Sequence, residues 1–118
     1  MANIIVLGGG RVGSAIATLM SKKHSVTVLD YSVENRIQTN SLKFIHFDFH
    51  SLETLESIIS TADILIGAVP GDLGYRVLQR VIEAGKHIVD ISFFPESGLK
   101  LNALAKKNKV IAAIDAGV

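Results

Sequence analysis

The sequence predicts an α/β domain built on a six-stranded parallel sheet, and three observations lead there. Short Val/Ile-rich runs alternate along the whole chain with stretches of helical periodicity. The first run, Ile4-Ile5-Val6-Leu7, passes directly into Gly8-Gly9-Gly10-Arg11-Val12-Gly13, a G-x-G-x-x-G turn. The second run closes on Asp30, 22 residues after Gly8. Glycine patterns of this kind are common by chance, but one set between a strand and an amphipathic helix, followed by that acidic residue, reads as a dinucleotide-binding turn. The expected architecture is therefore the doubly wound Rossmann type, with right-handed crossovers and strand order 3-2-1-4-5-6.

The elements follow in order. Strands are expected at about 3–7, 25–30, 43–48, 63–68, 86–91 and 109–114, and helices at about 11–23, 33–40, 51–60, 72–84 and 95–107. Val12, Ile16 and Leu19 recur at helical spacing in the first helix and are expected to face the sheet. Leu73, Val77 and Val81 do so in the fourth, and Leu101, Leu104 and Ala105 in the fifth. Ser32 and Ser51 are candidate N-caps, although Asn35 at the third position leaves the first capping box incomplete. Gly85 reads as the glycine that ends the fourth helix, and Pro95 as a first-turn proline whose missing N–H costs nothing.

Composition bounds the function. A chain of 118 residues holds one domain with a single core, small for an enzyme that binds two substrates. Twelve basic and 11 acidic residues leave a net charge of +1, so charge supports neither a nucleic-acid partner nor a membrane surface. The absence of cysteine excludes a disulfide framework, thiolate metal sites and a cysteine nucleophile, and fits a cytoplasmic protein. The first strand begins at residue 3 without a basic leader, so no signal peptide is expected, and no apolar run approaches the roughly 20 residues that span a bilayer. Hydrophobic residues make up 48% and mean hydropathy is +0.39. A parallel sheet covered on both faces accounts for this, as does a surface that packs against a further partner, a second copy in a homodimer included.

The candidate site lies at the carboxyl ends of the strands. Gly8 permits the tight turn, Gly10 lets backbone approach the pyrophosphate, and Gly13 brings the helix close to the sheet. The N–H groups that open the helix then face the phosphate charge, with Val12 and Arg11 in that first turn, Arg11 placed over the pyrophosphate, over the adenine face or toward solvent. Asp30 is placed to accept hydrogen bonds from the adenosine ribose hydroxyls, bonds worth about 1.5–3 kcal/mol. The same carboxylate about 4 Å from a 2′-phosphate costs about 4 kcal/mol per phosphate charge at an effective dielectric near 20. NAD is thus expected over NADP, unless Arg36 reaches the pocket. Asp48, at the end of the third strand, is placed either for the adenine or as an ordinary loop aspartate before a helix. Ala68-Val69-Pro70, after the fourth strand, keeps the backbone small and extended where a nicotinamide ribose would approach. His24, His46, His50 and His87 are scattered without metal-ligand spacing, and no metal site is expected. No nucleophile–base–orienter set is present in the sequence pattern, so no catalytic residue is assigned. Lys106, Lys107 and Lys109 read as a solvated face at a helix end.

With these motifs placed, several stretches resemble the saccharopine dehydrogenase family, lysine 6-dehydrogenase-like members included. They are the glycine turn, Ala68-Val69-Pro70-Gly71-Asp72-Leu73-Gly74-Tyr75, Ile82-Glu83-Ala84-Gly85-Lys86-His87-Ile88-Val89-Asp90-Ile91-Ser92, and Ile114-Asp115-Ala116-Gly117-Val118. The resemblance implies an NAD(P)-dependent oxidoreductase that moves hydride between the cofactor and a C–N centre of a lysine-type amino acid or its glutamate adduct. It implies that Gly8, Gly10 and Gly13 hold the pyrophosphate, Asp30 the ribose, and Ala68, Val69 and Pro70 the nicotinamide half. Ser92 and Asp115 would reach the nicotinamide or the substrate. Family members continue into a substrate-binding domain, so the chain is expected to be the N-terminal cofactor domain of a longer two-domain enzyme. The first residues also resemble the nucleotide-sensing domains that regulate potassium channels and transporters. The A-V-P-G and K-H-I-V-D-I-S stretches fit the dehydrogenase pattern better. A diverged, non-catalytic dinucleotide binder is the third reading.

Overall fold

The apolar runs form one parallel sheet. In the computed structural model, which describes residues 2–32, 42–69, 71–91 and 102–113, the elements are β1 (Asn3–Leu7), α1 (Arg11–Met20), β2 (Ser25–Asp30), β3 (Leu42–His46), α2 (Leu55–Ile59), β4 (Ile64–Gly67), α3 (Gly71–Glu83), β5 (Ile88–Asp90), α4 (Asn102–Lys107) and β6 (Ala112–Ala113). The sheet order is β3-β2-β1-β4-β5-β6, the doubly wound order the sequence predicts. Its reversal point lies between β1 and β4, where Ile4 pairs with Ile64 and Leu7 with Gly67. Both turns that leave these strands therefore open side by side at the carboxyl edge.

Alternate residues of each strand enter opposite faces, and both faces are covered. On one, Ile5, Leu7, Leu29, Leu65 and Ile88 pack under Leu55 and Ile59 of α2 and Val77, Leu78, Val81 and Ile82 of α3. Leu73 joins this cluster, as do Leu104 and Ala105 of α4. On the other, Ile4, Val6, Val26, Val28, Leu42 and Ile66 pack against Ala17, with Ile16 and Met20 beside it. This corrects the expected face of the first helix. Val12 is 57% and Leu19 65% exposed, while Gly13 and Ala17 are the buried residues of α1. Gly13 must lie against the turn that leaves β1. That contact rotates the helix so that a stripe of small residues, rather than the larger Val12 and Leu19, meets the sheet.

Several boundaries are shorter than periodicity alone predicts. The first helix ends at Met20 and continues only as turns to His24, whose amide donates to the Met20 carbonyl at 3.0 Å. The third predicted helix shrinks to Leu55–Ile59: the Ser51 amide donates to the Asp48 carbonyl, and Thr54 rather than Ser51 stands at the N-cap. The lost turn belongs to the Asp48 loop, which competes locally with helix. The helix expected at 33–40, the Ser32 cap that would start it, and Leu101 and Pro95 of the last expected helix fall outside the described residues or on their border. Lys86 adds a cross-link that periodicity does not reveal: its ammonium donates to the carbonyls of Ser60 and Ala62, at 2.7 and 3.0 Å, as the chain leaves α2.

The ends of α3 and α4 share one geometry. After α3, Gly85 has φ +75°, its amide donates to Ile82 and that of Lys86 to Val81, the paired bonds of a Schellman ending. After α4, Lys109 has φ +55°, its amide donates to Lys106 and that of Val110 to Ala105. The second ending thus places a side chain where the first has glycine. Lys109→Gly is expected to raise stability by about 0.5–1 kcal/mol and Gly85→Ala to lower it by about 1 kcal/mol, read from the urea midpoint. Equal midpoints for wild type and Lys109→Gly would contradict the left-handed backbone at Lys109.

Candidate functional site

The site is built from the β1–α1 turn outward. Gly8 leaves β1 with φ +104°, its amide donating to the Leu29 carbonyl at 2.7 Å. A Cβ there would stand 2.5 Å from the Ala68 carbonyl oxygen, so the turn from β1 and the end of β4 are in backbone contact. At Gly13 a Cβ would strike the Gly8 carbonyl oxygen itself. Gly9 is closely packed, which the motif alone does not say: a Cβ would meet Asp30 Oδ2 and Val28 Cγ1, both at 3.1 Å, tight enough that one of those side chains must shift by a few tenths of an ångström. The Asp30 side chain lies across Gly9, and the third consecutive glycine was the available signal.

Gly10 is different. It is the N-cap of α1, exposed, with φ −68° and ψ −165°, and a Cβ there would meet nothing within 4 Å. Nothing among the described residues asks for glycine at this position, whereas a ligand lying close to the backbone would. The first helical bond runs from the Ser14 amide to the Gly10 carbonyl at 2.8 Å, so the amides of Arg11, Val12 and Gly13 precede the intrahelical ladder. The Ser14 hydroxyl braces the turn by donating to the Gly9 carbonyl at 2.6 Å. Arg11 and Val12 are exposed beside it.

One side of the turn is carried by β2 and β3. Asp30 is half-buried, and its Oδ1 accepts the Tyr31 amide at 2.8 Å. His46 is its register partner across the strands, and the His46 ring lies 5.2 Å from that of Tyr31. Asp48 is turned to local work: its Oδ1 accepts the His50 amide at 2.9 Å and lies 3.2 Å from His50 Nδ1. The backbone N–H of His50, before the imidazoles of His50 and His46, holds the Asp48 carboxyl below its ordinary value. His24 and His87 each accept a backbone amide, from Ala2 and Ile111.

On the other side of the turn, Ala68 is half-buried and its amide donates to Leu7 at 2.7 Å. Val69 is 2% exposed with its side chain in the core, so only its backbone borders the crevice. Pro70, Ser92 and Asp115 lie outside the described residues. Asp90, to which the sequence assigns no role, is a carboxylate only 2% exposed at the end of β5, packed 3.1 Å from where a Cβ of Gly67 would stand. Glycine at position 67 makes room for it. A shallow cavity of about 230 Å³ beneath Ile64, His87 and Ile111 lies at the amino ends of β4–β6, the far end from this site.

Sheet order, glycine turn and Asp30 together define a Rossmann-type dinucleotide-binding domain. Residues 4–113 match the model of the saccharopine dehydrogenase NADP binding domain, and the chain belongs to that family. It is 32% identical over 97% of its length to the NADP⁺-dependent shikimate dehydrogenase of Pyrococcus furiosus, and 30% identical over 98% to the homoserine dehydrogenase of Lactococcus lactis. It spans only 41% and 30% of those two proteins. Among solved structures, the apo saccharopine dehydrogenase (L-Glu forming) of Saccharomyces cerevisiae superposes with a TM-score of 0.79 at 18% identity, covering 95% of this chain and 26% of that one. An NAD-binding protein from Listeria innocua gives 0.72 at 24%, covering 94% and 34%. At these identities the likeness to the solved structures is one of fold. A nicotinamide dinucleotide is the cofactor of the family, and the open space over Gly10 fits it.

Two substitutions separate fold from ligand. Gly13→Ala drives a methyl group onto the Gly8 carbonyl and is expected to cost about 1–3 kcal/mol of stability in urea. Gly10→Ala is expected to cost less than about 1 kcal/mol. It should nonetheless weaken dinucleotide binding about tenfold or more, the loss of one charge-assisted contact to phosphate. Unchanged affinity in Gly10→Ala would remove Gly10 from the site.

Proposed function

We propose that this chain is the cofactor half of an amino-acid oxidoreductase, saccharopine or lysine dehydrogenase-like, that transfers hydride between NAD and a C–N centre. The observation that carries the cofactor choice is Asp30, whose carboxylate lies across Gly9 at the carboxyl end of β2. There it faces the ribose of a dinucleotide whose pyrophosphate sits over Gly10 and the first amides of α1. A carboxylate in that place accepts from the 2′- and 3′-hydroxyls and repels a 2′-phosphate. NAD is the proposed cofactor for that reason, although the family model and the Pyrococcus relative both carry the NADP name.

When bound, the dinucleotide supplies the hydride acceptor. The chain's own residues hold and orient it: Gly8 and Gly13 fix the turn, Asp30 the ribose, and the backbone of Ala68 and Val69 borders the nicotinamide half. Ser92 and Asp115 are assigned to the nicotinamide or substrate side by family resemblance. The substrate domain is proposed to be supplied by polypeptide beyond this sequence, since the curated relatives are more than twice its length. Those relatives are named for two different substrates, so the shared segment follows the cofactor and not the reaction. The C–N centre rests on the family alone.

Calorimetric titration with NAD and NADP, on wild type and Asp30→Ala, tests the cofactor. Wild type should bind NAD about tenfold more tightly than NADP, and Asp30→Ala should bring the two within about threefold. Tighter NADP than NAD in wild type would overturn the role of Asp30. The absence of binding to either would overturn the dinucleotide reading. For the whole enzyme, the native protein should have an intact mass above 12.7 kDa and reduce NAD in the presence of a lysine-type amine.

A further inference from the structure

An aspartate at the end of an apolar strand has to be explained by what surrounds it. Asp90 closes the run Ile88–Asp90 with 2% of its surface exposed, and it is the one buried charged side chain among the described residues. A carboxylate so deep in a protein is kept only where its neighbours hold it, because burial costs an unsupported charge heavily. The glycine turn and the ribose carboxylate make no use of Asp90. Its place in the sheet shows what does.

Ile88, two residues earlier, packs in the core cluster beneath α3, so strand alternation turns Asp90 onto the same face of the sheet. Its register partner on β4 is Gly67, and the Cβ that Gly67 lacks would stand 3.1 Å from both Cγ and Oδ1 of Asp90. The carboxylate therefore lies on the Gly67 backbone. On the same two strands the Ile91 amide donates to the Gly67 carbonyl at 2.8 Å, and on the other side Gly67 pairs with Leu7. Glycine alone would leave this last residue of β4 loosely held, and the packed carboxylate supplies the restraint that a side chain at position 67 otherwise would. The next residue is Ala68, whose amide donates to the Leu7 carbonyl at 2.7 Å and whose own carbonyl faces Gly8. Contact thus runs without a break from Asp90 through Gly67 to the backbone that walls the crevice.

We propose that Asp90 is a positioning residue for the nicotinamide half of the cofactor: packed on Gly67, it holds the Ala68–Val69 backbone where the nicotinamide ribose meets it. The proposal rests on the dinucleotide reading above. Being buried, Asp90 acts through Gly67 and Ala68 and not by touching the cofactor. The glycine turn has its own supports on the far side, the Gly8 amide on the Leu29 carbonyl and Gly13 against the Gly8 carbonyl. Loss of the Asp90 packing is therefore felt at one end of the dinucleotide and spares the end that carries adenosine and pyrophosphate.

The test compares NAD with ADP, which carries adenosine and pyrophosphate but no nicotinamide half, by calorimetric titration of wild type, Asp90→Ala and Asp90→Asn. Asp90→Ala clears the space over Gly67 and should weaken NAD about fivefold while leaving ADP within about twofold of wild type. Asp90→Asn keeps the shape of the side chain and should hold NAD within about twofold. Gly67→Ala presses on the same contact from the opposite side and should weaken NAD selectively in the same way, which decides the matter if Asp90→Ala does not fold. Where both fold, adding Gly67→Ala to Asp90→Ala should cost less NAD affinity than Gly67→Ala does alone, because its methyl group then meets empty space. Equal losses of NAD and ADP overturn the assignment, since Asp90 would then hold the fold and not the nicotinamide end. Unchanged NAD affinity in Asp90→Ala overturns it too, as does a loss in Asp90→Asn as large as that in Asp90→Ala. Wild type that binds neither nucleotide overturns the dinucleotide reading and the proposal with it, an outcome distinct from all of these.

Discussion

The close approach of the first helix to the turn below it governs the rest of the molecule. Gly13 has no Cβ, so α1 begins against the carbonyl of Gly8, and Gly8 in turn sits on the carbonyl of Ala68. Three backbone segments from β1, α1 and β4 are thereby stacked at the one place where the winding of the sheet reverses. The stacking fixes the rotation of α1, which buries Gly13 and Ala17 and leaves Val12 and Leu19 outside. It also aims the first amides of the helix into the crevice between the two halves of the sheet. Packing and ligand geometry thus have one cause.

Charge is then arranged around that fixed turn. The helix N-terminus presents positive partial charge, the setting that favours an anion. Asp30 presents negative charge one strand away, over Gly9. Asp48 carries a second carboxylate beyond β3, where it accepts the His50 amide in the loop that precedes α2. The carboxyl edge of the sheet therefore reads as a polarised strip, donors at the centre and an acceptor at the β2 end. The buried Asp90 carboxylate, accommodated by Gly67, lies at the end of β5 on the other side of that centre.

Much of this was legible in the residues. Strand order followed from six apolar runs, the glycine turn and the rule for right-handed crossovers, and β1 and β2 fall at the expected 3–7 and 25–30. The ending at Gly85 was equally readable, since glycine after a helical stripe has one main use. Three features were not legible, each for a physical reason. The burial stripe of α1 depends on a through-space contact between Gly13 and Gly8, which helical periodicity does not contain. The short α2 reflects competition from the Asp48 loop, which a Ser51 cap pattern cannot weigh. The pairing of Asp30 with His46 and Tyr31 depends on strand register between segments far apart in sequence.

The central claim is that the dinucleotide lies across the glycine turn at the carboxyl edge of the sheet. Amide NMR spectra recorded during titration with NAD test it most directly. The largest shifts should fall on Gly8 to Ser14, on Asp30 and Tyr31, and on Ala68 and Val69, with little change at the amino ends of β4–β6. Shifts concentrated instead on Ile64, His87 and Ile111, around the small cavity at the opposite end, would contradict it.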